Sequence, residues 1–220
     1  MSELESLYPF LHGRPKNVAS EHAALLESVA QKAAHSVEVK QRFFAEQAED
    51  LIAVARALAR SFADGGRLFT MGNGGSHADA SHVAVEFQHP VTAGRPSLPA
   101  FDLAADVTLL TALGNDLGFR NTYVRPLIAH ARPGDALIGL STSGNSENLM
   151  AAFATAREIG LTTIGFAGMQ GGEMQASGLL DHCLVVPTDS IHRIQEVHVA
   201  CYHILWDLTH TLLADTRGGL

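Results

Sequence analysis

Cysteine is nearly absent: Cys183 and Cys201 are the only two in 220 residues. That count excludes a disulfide framework and a cysteine-rich zinc module. Long apolar runs are missing too, since none reaches the roughly 18–20 residues that a membrane-spanning helix needs. The chain starts Met-Ser-Glu-Leu-Glu, which is acidic and lacks the apolar region of a secretion signal. Basic charge is also short. Fifteen Lys and Arg face 23 Asp and Glu, for a net charge of -8. Broad binding to a nucleic-acid backbone is excluded, because that affinity comes from neutralising phosphates with basic side chains. Hydrophobic residues still make up 46%, enough for a globular core. These features predict a cytoplasmic globular protein with no membrane and no nucleic-acid partner.

What is present is an alternation of strands and helices. Residues 1–15, with Pro9, Gly13 and Pro15, predict an irregular arm. Residues 16–220 predict a single domain led by a helical pair over 16–64. Ala24, Leu25, Val29 and Ala33 recur at helical spacing in the first helix. Phe43, Phe44, Leu51, Val54, Ala55, Leu58 and Phe62 do so in the second, which stops at Asp64-Gly65-Gly66. Strands follow at 68–71, 100–103, 136–140, 162–166 and 183–186. Helices are predicted over 76–88, 146–159 and 190–213. Such alternation implies an α/β fold, a parallel sheet covered on both faces. Ligands then bind at the carboxyl ends of the strands.

Two loops at such ends carry the chemistry. Gly72-Asn-Gly-Gly-Ser76 permits positive φ and close backbone approach, and the next helix points free N–H groups at it. Alone, this loop is equally well a tight strand-to-helix turn. Ser141-Thr-Ser-Gly-Asn-Ser146 shifts the balance. A helix cap needs one hydroxyl or amide, whereas this loop offers four hydroxyls around one glycine. That pattern points to an oxyanion cradle, and so to phosphate. Neither loop contains Gly-Lys-Ser/Thr, which excludes P-loop nucleotide hydrolysis. His82 and Glu86 lie at i, i+4 on one helix face, and both suit metal binding or acid–base work. Asp79, one turn earlier, is placed to orient His82. An ordinary polar helix face is the alternative. Of the 12 histidines, His12, His22 and His35 are read as surface residues.

These segments resemble the sugar isomerase (SIS) domain, and within it the phosphoheptose isomerase family, from residue 40 to the C-terminus. The anchors are Gly72-Asn-Gly-Gly-Ser-His77, His82-x-x-x-Glu86, Arg95-Pro-x-x-Pro-Ala100, Gly114-Asn-Asp-x-Gly-Phe119, Ser141-Thr-Ser-Gly-Asn-Ser146 and Arg193-Ile-Gln-Glu-Val-His198. The resemblance implies a three-layer α-β-α SIS fold with a flavodoxin-like, five-stranded parallel sheet. It also implies one Zn2+ per subunit and a homotetramer with sites at subunit interfaces. Its substrate contacts fall on Asn73, Gly74, Gly75, Ser76, Asn115, Asp116, Ser141, Thr142, Ser143, Ser146 and Gln195. Its zinc ligands fall on His82, Glu86, Gln195 and His203. Ser190-Ile-His192 before Arg193 and Phe87-Gln-His-Pro90 after Glu86 depart from the commoner family pattern.

The reaction implied is an aldose–ketose isomerisation of sedoheptulose 7-phosphate to D-glycero-D-manno-heptose 7-phosphate through an enediol(ate). Glu86 is the expected base and His203 the partner acid, with Asp116 in reserve. Gln195 and His203 stand about 12 Å apart along one helix. Either that helix bends or the two ligands come from different subunits, so a site at a subunit contact is expected. His198, one turn from Gln195, is read as a core or supporting residue. One alternative is a non-catalytic SIS-domain regulator resembling the protein that binds the replication initiator DnaA. That group lacks the full metal set, so His82, Glu86, Gln195 and His203 together favour the enzyme. An isomerase of another phosphosugar is the other alternative.

Overall fold

The computed structural model describes residues 18–216. The arm expected over residues 1–15, and His12 with it, lies outside the described residues. Helix α1, Val18–Ala63, is one helix of 46 residues where a pair was expected. The join Ala34-His-Ser-Val-Glu-Val-Lys contains no glycine or proline, so nothing interrupts the hydrogen-bond ladder there. Two compact units divide within this helix, the first ending at Glu38 and the second running from Val39. In the first, Leu25, Leu26, Val29 and Val37 are exposed. In the second, α1 buries Val39, Phe43, Leu51, Val54, Leu58 and Phe62. It stops at Gly65, whose φ of +82° suits glycine.

The elements that follow are β1 (Leu68–Gly72), α2 (Gly75–Gln88), β2 (Ala100–Asp102), α3 (Val107–Leu117), a 3-10 turn (Phe119–Asn121), α4 (Val124–His130), β3 (Ala136–Ser141), α5 (Glu147–Ile159), β4 (Thr162–Gly168), α6 (Gly172–Ala176), β5 (His182–Val186) and α7 (Ile191–Thr216). Every expected strand is present. Sequence reading assigned neither α3, the 3-10 turn, α4 nor α6. The strands form one parallel sheet in the order β2-β1-β3-β4-β5, the flavodoxin-like arrangement.

Period-2 alternation divides β1, β3, β4 and β5 between two cores. Ala136, Ile138 and Leu140 of β3 join the core formed with α1, α2 and α7. Leu137 joins the opposite core with Phe153, Leu149 and Leu127. The three layers follow from that division. Chain order reverses between β1 and β3, which lie side by side with Gly72 opposite Leu140. The two candidate phosphate loops therefore leave adjacent strand ends at the switch point, where α/β folds bind ligands. Among the described residues, no helix is long and apolar enough to cross a membrane.

Candidate active site

Gly72 ends β1 where no side chain fits, since a Cβ there would run into the backbone of Ser76. Gly74 then takes a φ of 55° and begins α2. The turn is closed by Ser76 N–H donating to Asn73 O at 3.1 Å and His77 N–H to Gly74 O at 3.0 Å. The Tyr123 hydroxyl donates to Gly72 O from behind. Burial pushes that phenol up to about 12, so it stays a neutral donor.

Asn73 joins this loop to the next. Its side-chain amide and that of Asn148 donate to each other, both at 2.9 Å. Asn148 is buried in the first turn of α5 and also donates to Thr122 Oγ1 at 3.4 Å. In the second loop, Ser141 Oγ accepts from Gly144 N–H at 3.1 Å and lies 3.3 Å from Ser146 Oγ. Ser146 holds the cap position of α5, yet its side chain makes no capping bond. Capping therefore does not account for the run of hydroxyls. Asn145 Oδ1 is turned away, accepting from Glu173 N–H at 2.9 Å. Hydroxyls and uncapped N–H groups at a helix N-terminus are an anion-binding arrangement. A cleft of about 570 Å³ opens beside it, lined by Arg120, Asn145, Glu147, Met150 and Glu173.

Further along α2, His82 Nε2 lies 3.0 Å from Glu86 Oε1. His203, from α7, completes a trio whose ligand atoms all lie within 4.8 Å of one another. Two imidazoles and a carboxylate suit a divalent ion held by nitrogen and oxygen. Bonds of about 2.1 Å in tetrahedral array place ligand atoms about 3.4 Å apart, and the trio's spacing brackets that value. The donor set fits a metal ion.

The SIS domain family matches residues 31–168. A phosphoheptose isomerase from Desulfovibrio desulfuricans is 42% identical over 196 residues, covering 89% of this chain and 92% of its own. This chain belongs to the phosphoheptose isomerase family of SIS-domain proteins. One from Aquifex aeolicus is 38% identical, covering 87% of this chain and 99% of its own. The solved phosphoheptose isomerase from Neisseria gonorrhoeae superposes with a TM-score of 0.79 at 35% identity, covering 85% of this chain and 99% of that one. That from Francisella tularensis gives 0.81 at 30% identity, covering 84% and 98%.

Against that family pattern, the structure rearranges several expected partners. His203 comes from the same chain as His82 and Glu86, so a second subunit is not needed to assemble these three. Gln195 does not join them. Its amide packs against Gly75, and α7 runs unbroken from Ile191 to Thr216. Gln195 thus keeps the separation from His203 of about 12 Å that a helix imposes. The pairs His82–Tyr202 and Glu86–Trp206 are each 120 residues apart, and Gly75–Gln195 repeats the offset. α2 and α7 therefore run side by side in the same direction. Asn115 and Asp116 are exposed at the end of α3, where Asn115 Nδ2 donates to Asp116 Oδ1 at 2.7 Å.

The expected orienting bond from Asp79 to His82 is not made. Asp79 Oδ2 is buried without a hydrogen-bond partner. Desolvation raises its pKa, with the His82 charge opposing. Tyr202 occupies the place instead, its hydroxyl 2.7 Å from His82 Nδ1. Trp206 Nε1 donates to Glu86 O at 2.9 Å. Sequence reading missed Tyr202, Trp206, Tyr123 and Asn148 as site residues. The constant offset between α2 and α7 is the signal that finds the first two, and it exists only once the helices are known to pair. His198 is a core residue: Nε2 meets Ala167 O at 3.1 Å, and burial lowers its pKa to about 4.

Proposed function

We propose that this chain is a phosphoheptose isomerase that interconverts sedoheptulose 7-phosphate and D-glycero-D-manno-heptose 7-phosphate. The observation that carries the reading is the meeting of Glu86 and His203 in one chain, beside His82. The loops Gly72–Ser76 and Ser141–Ser146 hold the phosphate, through the hydroxyls of Ser76, Ser141, Thr142, Ser143 and Ser146 and the free N–H groups of α5. Asn73, Gly74, Gly75 and Gln195 border the same end, and Asn115 and Asp116 serve the sugar hydroxyls. His82 stands about 10 Å along α2 from Gly75. That separation matches the scale of a seven-carbon chain between its phosphate and its carbonyl end.

In the ketose-to-aldose direction, the Glu86 carboxylate takes a proton from C1 while His203 gives one to the oxygen on C2. The enediol results. His203 then takes the proton from the oxygen on C1, and Glu86 returns its proton to C2. Atoms and electrons balance with no co-reactant. Glu86 Oε2 makes no hydrogen bond among the described residues, which leaves it available as the base. His82, Glu86 and His203 would hold Zn2+, which polarises the carbonyl and hydroxyl oxygens when bound. A fourth ligand from Gln195 would have to come from a neighbouring subunit. Remote phosphate binding positions the reacting carbons without acting on them.

A homotetramer is part of this reading, supported by the exposed Leu25, Leu26, Val29 and Val37 on the first part of α1. So is a cytoplasmic location. The test is turnover: purified protein with zinc and sedoheptulose 7-phosphate, with product followed over time. Glu86→Gln should lower kcat by about 10²–10⁴-fold, the usual share of a general base. No turnover of any heptose or hexose phosphate by zinc-loaded protein would overturn the reading in favour of a non-catalytic regulator.

A further inference from the structure

The two ring nitrogens of His82 have different neighbours. Nε2 faces Glu86 Oε1 at 3.0 Å, and Nδ1 faces the Tyr202 hydroxyl at 2.7 Å. An imidazole that gives Nε2 to a metal ion is neutral and carries its proton on Nδ1. That proton needs an acceptor to hold the tautomer and the ring plane. The Tyr202 oxygen is the partner within reach. Tyr202 itself is 1% exposed. Its ring meets that of His82 edge-on at 5.3 Å and that of His203 at 4.7 Å. One side chain therefore touches both imidazoles of the trio.

We propose that Tyr202 is a positioning residue of the metal centre. Its hydroxyl accepts the Nδ1 proton of His82 and fixes the tautomer that presents Nε2. Its ring fixes the angle between His82 and His203. The inference rests on reading His82, Glu86 and His203 as metal ligands. Phenylalanine would serve a purely packing role equally well, which makes Tyr202→Phe the informative change.

The experiment measures zinc affinity by competition with a chromophoric chelator, for the full-length parent, Tyr202→Phe and His203→Ala. Visible absorption of the Co2+-loaded proteins reports ligand geometry independently of activity. Tyr202→Phe should bind zinc about 10–100-fold more weakly, as loss of a ligand's supporting partner does. Its Co2+ spectrum should change while the metal-free protein melts where the parent does. Equal zinc affinity and an unchanged Co2+ spectrum in Tyr202→Phe would overturn the inference and leave the metal centre standing. A parent that binds no zinc, or a His203→Ala protein that binds it as well as the parent, would overturn the metal centre and the inference together.

Discussion

Asn73 and Asn148 offer a quantitative test of how the two loops are joined. Their amides exchange two hydrogen bonds of 2.9 Å, each contributing about 1 kcal/mol net. Asn148→Ala removes both, along with the longer bond to Thr122, and strands the amide of half-buried Asn73. Together these cost about 3 kcal/mol. Asn73→Ala leaves the buried Asn148 amide with only its longer bond to Thr122 and should cost a similar amount. The double variant leaves no amide stranded and loses the same pair only once. It should cost about 3–4 kcal/mol, well short of the sum, a coupling of about 2 kcal/mol. Urea unfolding at one fixed protein concentration measures this, with a constant slope against denaturant as the control. Each single variant should also raise KM for the sugar phosphate, because both loops that border the phosphate lose their tie. Costs that simply add in the double variant would refute the argument.

His198 should set part of the acid limb of stability. Its folded pKa is lowered to about 4 from 6.5, so between those values the unfolded chain binds the proton and the folded one does not. Stability is full above pH 6.5 and falls as pH drops toward 4, by about 3 kcal/mol. His198→Gln keeps a donor for Ala167 O and should flatten that limb in denaturation curves taken across the range. An unchanged limb would assign the acid sensitivity elsewhere. Gly75→Ala places a methyl against the Gln195 amide, the movable end of a flexible side chain. The melting temperature should stay near the parent's while KM rises roughly fivefold, the scale of one lost hydrogen bond. A collapse in stability with unchanged KM would show that Gly75 serves the fold alone.

The strands were legible because each is a short apolar run bounded by turn residues, and its length favours a strand over a helix. α3 and α4 were less so. Val107, Leu109 and Ile128 are exposed, which blurs the one-sided apolar stripe that marks a helix. α1 runs through where a pair was expected, because residues 34–40 hold no glycine or proline to break it. In the loop Ser141–Ser146 the run of hydroxyls is visible in local composition, and Ser146 makes no side-chain capping bond. Asp79 was assigned to His82 by helical spacing, and the assignment failed because spacing says nothing of a competing hydroxyl arriving from another element.

By itself, the sequence determined what is local. Periodicity set the strands and the long helices. Glycines at Gly72, Gly74 and Gly75 set the backbone of the first loop, and i, i+4 spacing set His82 beside Glu86. Tertiary structure decided what depends on registry between distant segments. The parallel course of α2 and α7 brings His203 to His82 and Glu86 while holding Gln195 back at Gly75. It also sets Tyr202 against His82 Nδ1 and Trp206 against the Glu86 carbonyl. The physical reason is range. Backbone propensity and spacing act over a few residues, whereas the partner of a side chain across 120 positions is fixed only when both helices are packed on the same face of the sheet.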